Sequence, residues 1–137
     1  MKPLDPDLES LPGEWIEKAE ADLEAAEQLA PKVAQSARLR EVVGFHCRQT
    51  VEKYLKVLLT FYQIEFPKTH ELERSLTLIR ATNREVADAL AETKWLGRSL
   101  SMSVIPVTQP KCSWGDEVRA IRLTRLAQRV VRRVLDE

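Results

Sequence analysis

The chain has 137 residues, 44% hydrophobic and 31% charged, with no net charge and only four glycines, three tryptophans, two tyrosines and three phenylalanines. That length suits one domain with a real core rather than two. The scarcity of glycine and aromatic residues argues against a many-stranded sheet, and no run is apolar or long enough to span a bilayer. Cys47 and Cys112 make no disulfide framework and, as two thiols alone, no closed zinc site, so neither a metal nor a cofactor is expected.

Residues 1–13 contain three prolines and read as an extended lead-in, with residues 14–137 forming a single helical bundle. The start, MKPLDPDLESLPGE, is acidic and lacks an apolar signal region, and the expected location is cytoplasmic. The first helix should begin near Pro12 or Glu14, since proline at a first helical position loses no hydrogen bond. Trp15, Ile16, Ala19, Leu23, Ala26 and Ala30 then recur with a helical period. Pro31 marks its end or a kink.

A second helix is expected over about 36–63. Leu39, Val42, Val43, Phe45, Thr50, Tyr54, Val57, Leu58 and Phe61 form one broad face, and Val51, Leu55, Leu59 and Tyr62 another. A helix apolar on two sides must be covered on two sides. Pro67 then holds a loop, and Thr69 is a suitable N-cap. A short helix over 70–81 carries the stripe Leu72, Leu76 and Ile79. Thr82 to Glu85 reads as a capping box for a helix with Val86, Leu90, Thr93, Leu96 and Leu100. Residues 103–113 form a proline-containing loop, and Ser113 to Asp116 a second capping box. The last helix has Ala120, Leu123, Ala127, Val130 and Val134 as its seam. The pattern predicts an all-α, antiparallel up-and-down bundle of four main helices plus a short fifth.

Charge is unevenly spread. Residues 1–30 carry nine acidic and two basic residues, whereas 111–137 carry seven basic and four acidic. The first and last helices should attract each other, or the last helix should meet an anionic partner. Arg122, Arg125, Arg129 and Arg132 are spaced by three, four and three, which puts four guanidiniums on one face as phosphate-contact candidates. The competing reading is a solvated face, or pairing with the acidic first helix. No aromatic residue interleaves this stripe, so base stacking is not expected there.

The second helix carries a polar edge through its apolar middle. His46, Gln49 and Lys53 share a face at spacings of three and four, with Lys56 one step further. The plain alternative for Arg48, Glu52 and Lys56 is a solvated face whose ion pairs contribute about 0.3–0.5 kcal/mol each. His46 and Gln49 sit where the apolar faces meet and point to a cleft or partner. His70, at a helix start, is a further ligand candidate. No glycine-rich phosphate loop, nucleophile elbow or CxxC is present, and nothing indicates sequence-specific DNA readout.

Three stretches together resemble the small, stand-alone prokaryotic HEPN domains: WIEKAEADLEAAEQL, FHCRQTVEKYLKVLL and FPKTHELERSL. The second is similar to the family's Phe-His-x-x-Gln-x-x-Glu-Lys-x-x-Lys core and the third to its Thr-His-(Asp/Glu)-Leu. The resemblance implies a helical bundle, usually a homodimer, often paired with a minimal nucleotidyltransferase in a toxin–antitoxin arrangement. Active relatives are metal-independent ribonucleases that use a late Arg-x4-6-His motif. Here no histidine follows His70. Arg40 and His46 match the spacing only inside the second helix, about 120° apart. Where relatives carry Ala-Arg-Tyr-Pro, this chain reads Ser103-Val104-Ile105-Pro106. The expected function is therefore a nucleotide- or RNA-binding module, non-catalytic or weakly active. The alternatives are a ribonuclease toxin using His46 or His70, and a structural dimerisation partner without a ligand.

Overall fold

The computed structural model of the chain describes residues 11–66, 72–99 and 115–136. Among them are six α-helices and no strand: α1 (Leu11–Leu29), α2 (Ala37–Phe61), α3 (Leu72–Thr82), α4 (Arg84–Ala89), α5 (Lys94–Ser99) and α6 (Asp116–Asp136). The all-α bundle expected from the sequence is what forms. Thr69, His70, Leu100, Ser103, Val104, Ile105, Pro106, Cys112 and Ser113 lie outside the described residues.

Helix α2 is the axis of the fold. Val43, Cys47, Val51, Val57, Leu58 and Leu59 have no exposed surface. α1 runs antiparallel to it along one flank and α6 parallel to it along another. The register of α6 is set by Arg40 meeting Glu117 at 2.9 Å and by Cys47 facing Thr124. The seam residues Ala120, Leu123, Ala127, Val130 and Val134 are all buried, as the helical period requires. α3 adds Leu72, Leu76 and Ile79.

Chain turns follow local chemistry. Pro31 ends α1, and the chain continues as a 3₁₀ turn over Ala30–Gln35, anchored by buried Val33. α2 closes with Gln63 at φ 58° and an Ile64 N–H donating to the Leu59 carbonyl at 2.8 Å. This is a Schellman-type end, and it returns Phe66 to the start of α1.

Three expectations need correction. The predicted fourth helix is broken into α4, a 3₁₀ turn at Ala91–Thr93 and α5. Leu90, at φ −99° and ψ 1°, leaves helical geometry while staying fully buried, and the Thr93 hydroxyl donates to its carbonyl at 2.6 Å. The cap of α4 is Asn83, not Thr82: its side chain accepts from the Val86 N–H at 3.2 Å. Phe45 and Phe61, expected on a buried face, are 37% and 46% exposed, because their ridges of α2 are covered by neither α1 nor α6.

The α2–α6 interface holds two groups that resist ionisation. Burial pushes the Cys47 thiol up to about 11, against a side-chain hydrogen bond with Thr124 that lowers it. Burial also raises the Tyr54 phenol, opposed by Gln128. A pKa raised in the folded state is stability present at neutral pH and lost as pH rises through that value. Stability is therefore expected to fall between about pH 9 and 11, with Cys47 reacting with a thiol reagent only as the interface opens. Chemical denaturation across this range, with thiol titration in parallel, checks both.

Candidate functional site

Two ridges of α1 and α2 meet along an edge that is neither core nor open surface. The α1 stripe of Ala19, Leu23 and Ala26 is buried, and Asp22 stands within it, between Ala19 and Ala26 at steps of three and four. Opposite, His46 and Lys53 project from α2 two turns apart. They converge on that one carboxylate. The His46 Nδ1 lies 2.9 Å from Asp22 Oδ1, and the Lys53 ammonium donates to Asp22 Oδ2. Exposure of the three side chains is 27% for His46, 21% for Lys53 and 15% for Asp22. With Nδ1–H turned to the carboxylate, the other ring nitrogen of His46 is left as an acceptor in the neutral imidazole. Gln49 lies between His46 and Lys53 on the same edge, partly buried.

One turn further, Lys56 does not pair with Glu52 as its spacing allows. Its ammonium lies 4.5 Å from the centre of the Trp15 ring on α1. Glu52 instead accepts from Arg48 at 3.2 Å. The structure thus brings His46, Gln49, Lys53 and Lys56 to one edge.

The sequence reading missed Asp22. Its signal was a carboxylate set inside an apolar stripe, at the one place where an uncompensated charge would be costly.

The arginines of α6 divide. Arg125 pairs with Glu27 of α1 and also donates to Gln128 at 3.1 Å. Arg132 meets Glu20 at 3.1 Å, and Arg122 meets Glu92 at 3.1 Å. The acidic first helix and basic last helix therefore neutralise each other, as one of the two readings of the stripe required. Arg129 is exposed and has no ion-pair partner among the described residues.

Arg40 and His46 are directed apart. Arg40 serves α6 through Glu117, and His46 serves α1 through Asp22. Their spacing is not a shared site. No group of three His, Cys, Asp or Glu side chains among the described residues is placed to hold a metal ion.

The family model of the HEPN domain matches residues 13–137. The chain belongs to the HEPN domain family. No curated protein and no solved structure matches it. Family membership makes it a nucleotide- or RNA-related module, and the α1–α2 edge is where its chemistry-bearing side chains collect. No described helix of this HEPN domain is long and apolar enough to cross a membrane.

Proposed function

We propose that the α1–α2 edge binds a nucleotide or RNA. The chain would act as a homodimer and as the non-catalytic partner of a minimal nucleotidyltransferase, in a toxin–antitoxin-like pair. One observation carries the reading: the Lys53 ammonium and the His46 ring are held on a single carboxylate in partly exposed positions of an otherwise buried helix. Lys53 and Lys56 place two ammonium groups on this edge against the one carboxylate of Asp22. Such a patch suits phosphate oxygens. The half-exposed Phe45 beside His46, at 5.6 Å between ring centres, supports the homodimer by giving a second copy an apolar side chain to cover.

The test is binding of end-labelled RNA in EDTA, scored for both mobility shift and cleavage. His46→Ala combined with Lys53→Ala is expected to weaken the shift about tenfold or more, as the loss of two polar contacts, that of Lys53 charged, implies. Equal shifts from parent and variant would remove the edge from the site. No shift from the parent would favour the structural partner.

A second reading has a specific observation behind it. The 2.9 Å contact between Asp22 and His46 orients the imidazole as a carboxylate orients a general base. Cleavage by the parent in EDTA, lost in His46→Ala, would establish a metal-independent ribonuclease instead.

A further inference from the structure

The outer ridges of α1 and α6 carry opposite charges that the fold leaves unanswered. On α1, Glu14, Glu17, Ala21 and Glu24 follow at steps of three, four and three, and all four are exposed. They lie on the side of the helix turned away from buried Ala19, Leu23 and Ala26. None of the three carboxylates has an ion-pair partner among the described residues, and the neighbouring Lys18 turns to the Trp15 ring instead. On α6, Arg122, Leu126, Arg129 and Arg133 follow at steps of four, three and four. The three arginines are exposed and Leu126 is partly buried. Arg122 meets Glu92, whereas Arg129 and Arg133 have no ion-pair partner among the described residues. The seam between the two helices is already neutralised by Glu20 with Arg132 and Glu27 with Arg125, and the outer ridges take no part in it.

The two ridges match each other. Read antiparallel, Glu14 falls opposite Arg133, Glu17 opposite Arg129, Ala21 opposite Leu126 and Glu24 opposite Arg122. At ~1.5 Å of rise per residue, the four pairs stay level to within about 1.5 Å. Ala21 is the small residue that lets Leu126 approach and be covered. A parallel reading sets Leu126 beside Glu17 and Arg129 opposite Ala21, and loses two of the four matches. The chain has no net charge, so copies meet without long-range repulsion.

We propose that a second copy of this chain docks its α1 ridge on the α6 ridge of the first, pairing Glu14 with Arg133, Glu17 with Arg129 and Glu24 with Arg122 around Ala21 and Leu126. The contact joins two different surfaces of the chain, so it is heterologous and separate from pairing through Phe45. Along ~15 Å of helix it belongs with weak, transient interfaces, and its exposed ion pairs make it sensitive to salt. No ring interleaves the α6 ridge: Trp95 stacks under Arg119 at 4.3 Å, to one side of it. A strand of nucleic acid would find no stacking platform there.

The test is sedimentation of the full chain over a range of protein concentrations. Four proteins are used: the parent, Glu14→Lys with Glu17→Lys, Arg129→Glu with Arg133→Glu, and all four substitutions together. Every altered position is exposed, and far-ultraviolet circular dichroism establishes that each variant keeps its helices. At an ionic strength of about 10 mM, where charges are felt over ~30 Å, the parent should grow heavier with concentration. At about 1 M, where that range falls to ~3 Å, the growth should vanish. Each double variant sets like charges opposite each other, and its salt-sensitive association should weaken about tenfold or more. An equimolar mixture of the two double variants should regain it, because each supplies the ridge the other lacks. The fourfold variant should regain it alone.

An association that salt and both double variants leave at the parental level, or a parent of constant mass, would overturn the proposal. A mixture as light as its components would do the same. Loss in the arginine variant without loss in the glutamate variant would show a different occupant on α6. A weaker RNA mobility shift in the arginine variant, with parental sedimentation, would give the ridge to nucleic acid and overturn the docking of a second copy.

Discussion

Asp22→Asn should lower the free energy of unfolding by about 1–3 kcal/mol, between the ranges for exposed pairs and buried ones. Asparagine keeps the shape and one acceptor but drops the charge that holds the Lys53 ammonium and faces the His46 ring. With Asp22 at 15% exposure, that charge is screened less than a surface carboxylate's. Urea denaturation reads the loss as a lower midpoint at unchanged slope. In a double-mutant cycle with Lys53→Met, the paired variant should lose less than the sum of its parts. Stability and affinity should separate here. The substitution removes the carboxylate at the centre of the edge, so phosphate affinity should hold or rise while stability falls. Under the ribonuclease reading, cleavage should drop with the orientation of His46. An Asp22→Asn protein as stable as the parent would mean the three side chains are not an organised cluster.

The helices were legible because their cores are periodic. α2 was expected over about 36–63 and runs from Ala37 to Phe61. The stripes of α3 and α6 are buried at every described position named for them. Pairing between helices was legible only in kind. The charge imbalance predicted that the ends of the chain would attract, but which arginine meets which glutamate depends on the antiparallel register of α1 and α6. Glu20 with Arg132 and Glu27 with Arg125 exist only once that register is set. Asp22 was legible only in part: its place inside the apolar stripe of α1 sets it apart among nine acidic residues in the first thirty, but that it faces His46 and Lys53 follows only from the register of α1 on α2. The break at Leu90 escaped periodicity because Leu90, Thr93 and Leu96 stay buried on either side of the 3₁₀ turn. Phe45 and Phe61 misled because their apolarity gives no information on which ridge of α2 the bundle leaves open.

That last error sets up the sharpest stability comparison. Leu58→Ala removes a side chain with no exposed surface from the ridge of α2 that also carries Cys47 and Tyr54, one turn beyond Tyr54. The lost transfer energy and the cavity left behind should cost about 2–5 kcal/mol, a large share of the ~5–15 kcal/mol that holds a domain folded. Phe45→Ala deletes more carbon, but from a side chain 37% exposed. In the isolated chain it should cost less than Leu58→Ala, since position outweighs size when part of the surface is already in water. Denaturation midpoints for both variants, taken at two protein concentrations, decide what covers this ridge. A small Phe45 effect that is independent of concentration describes a ridge open to solvent. A Phe45 effect as large as that of Leu58, growing with protein concentration, describes a ridge buried against a second copy, because a partner that binds only the folded state adds stability by mass action.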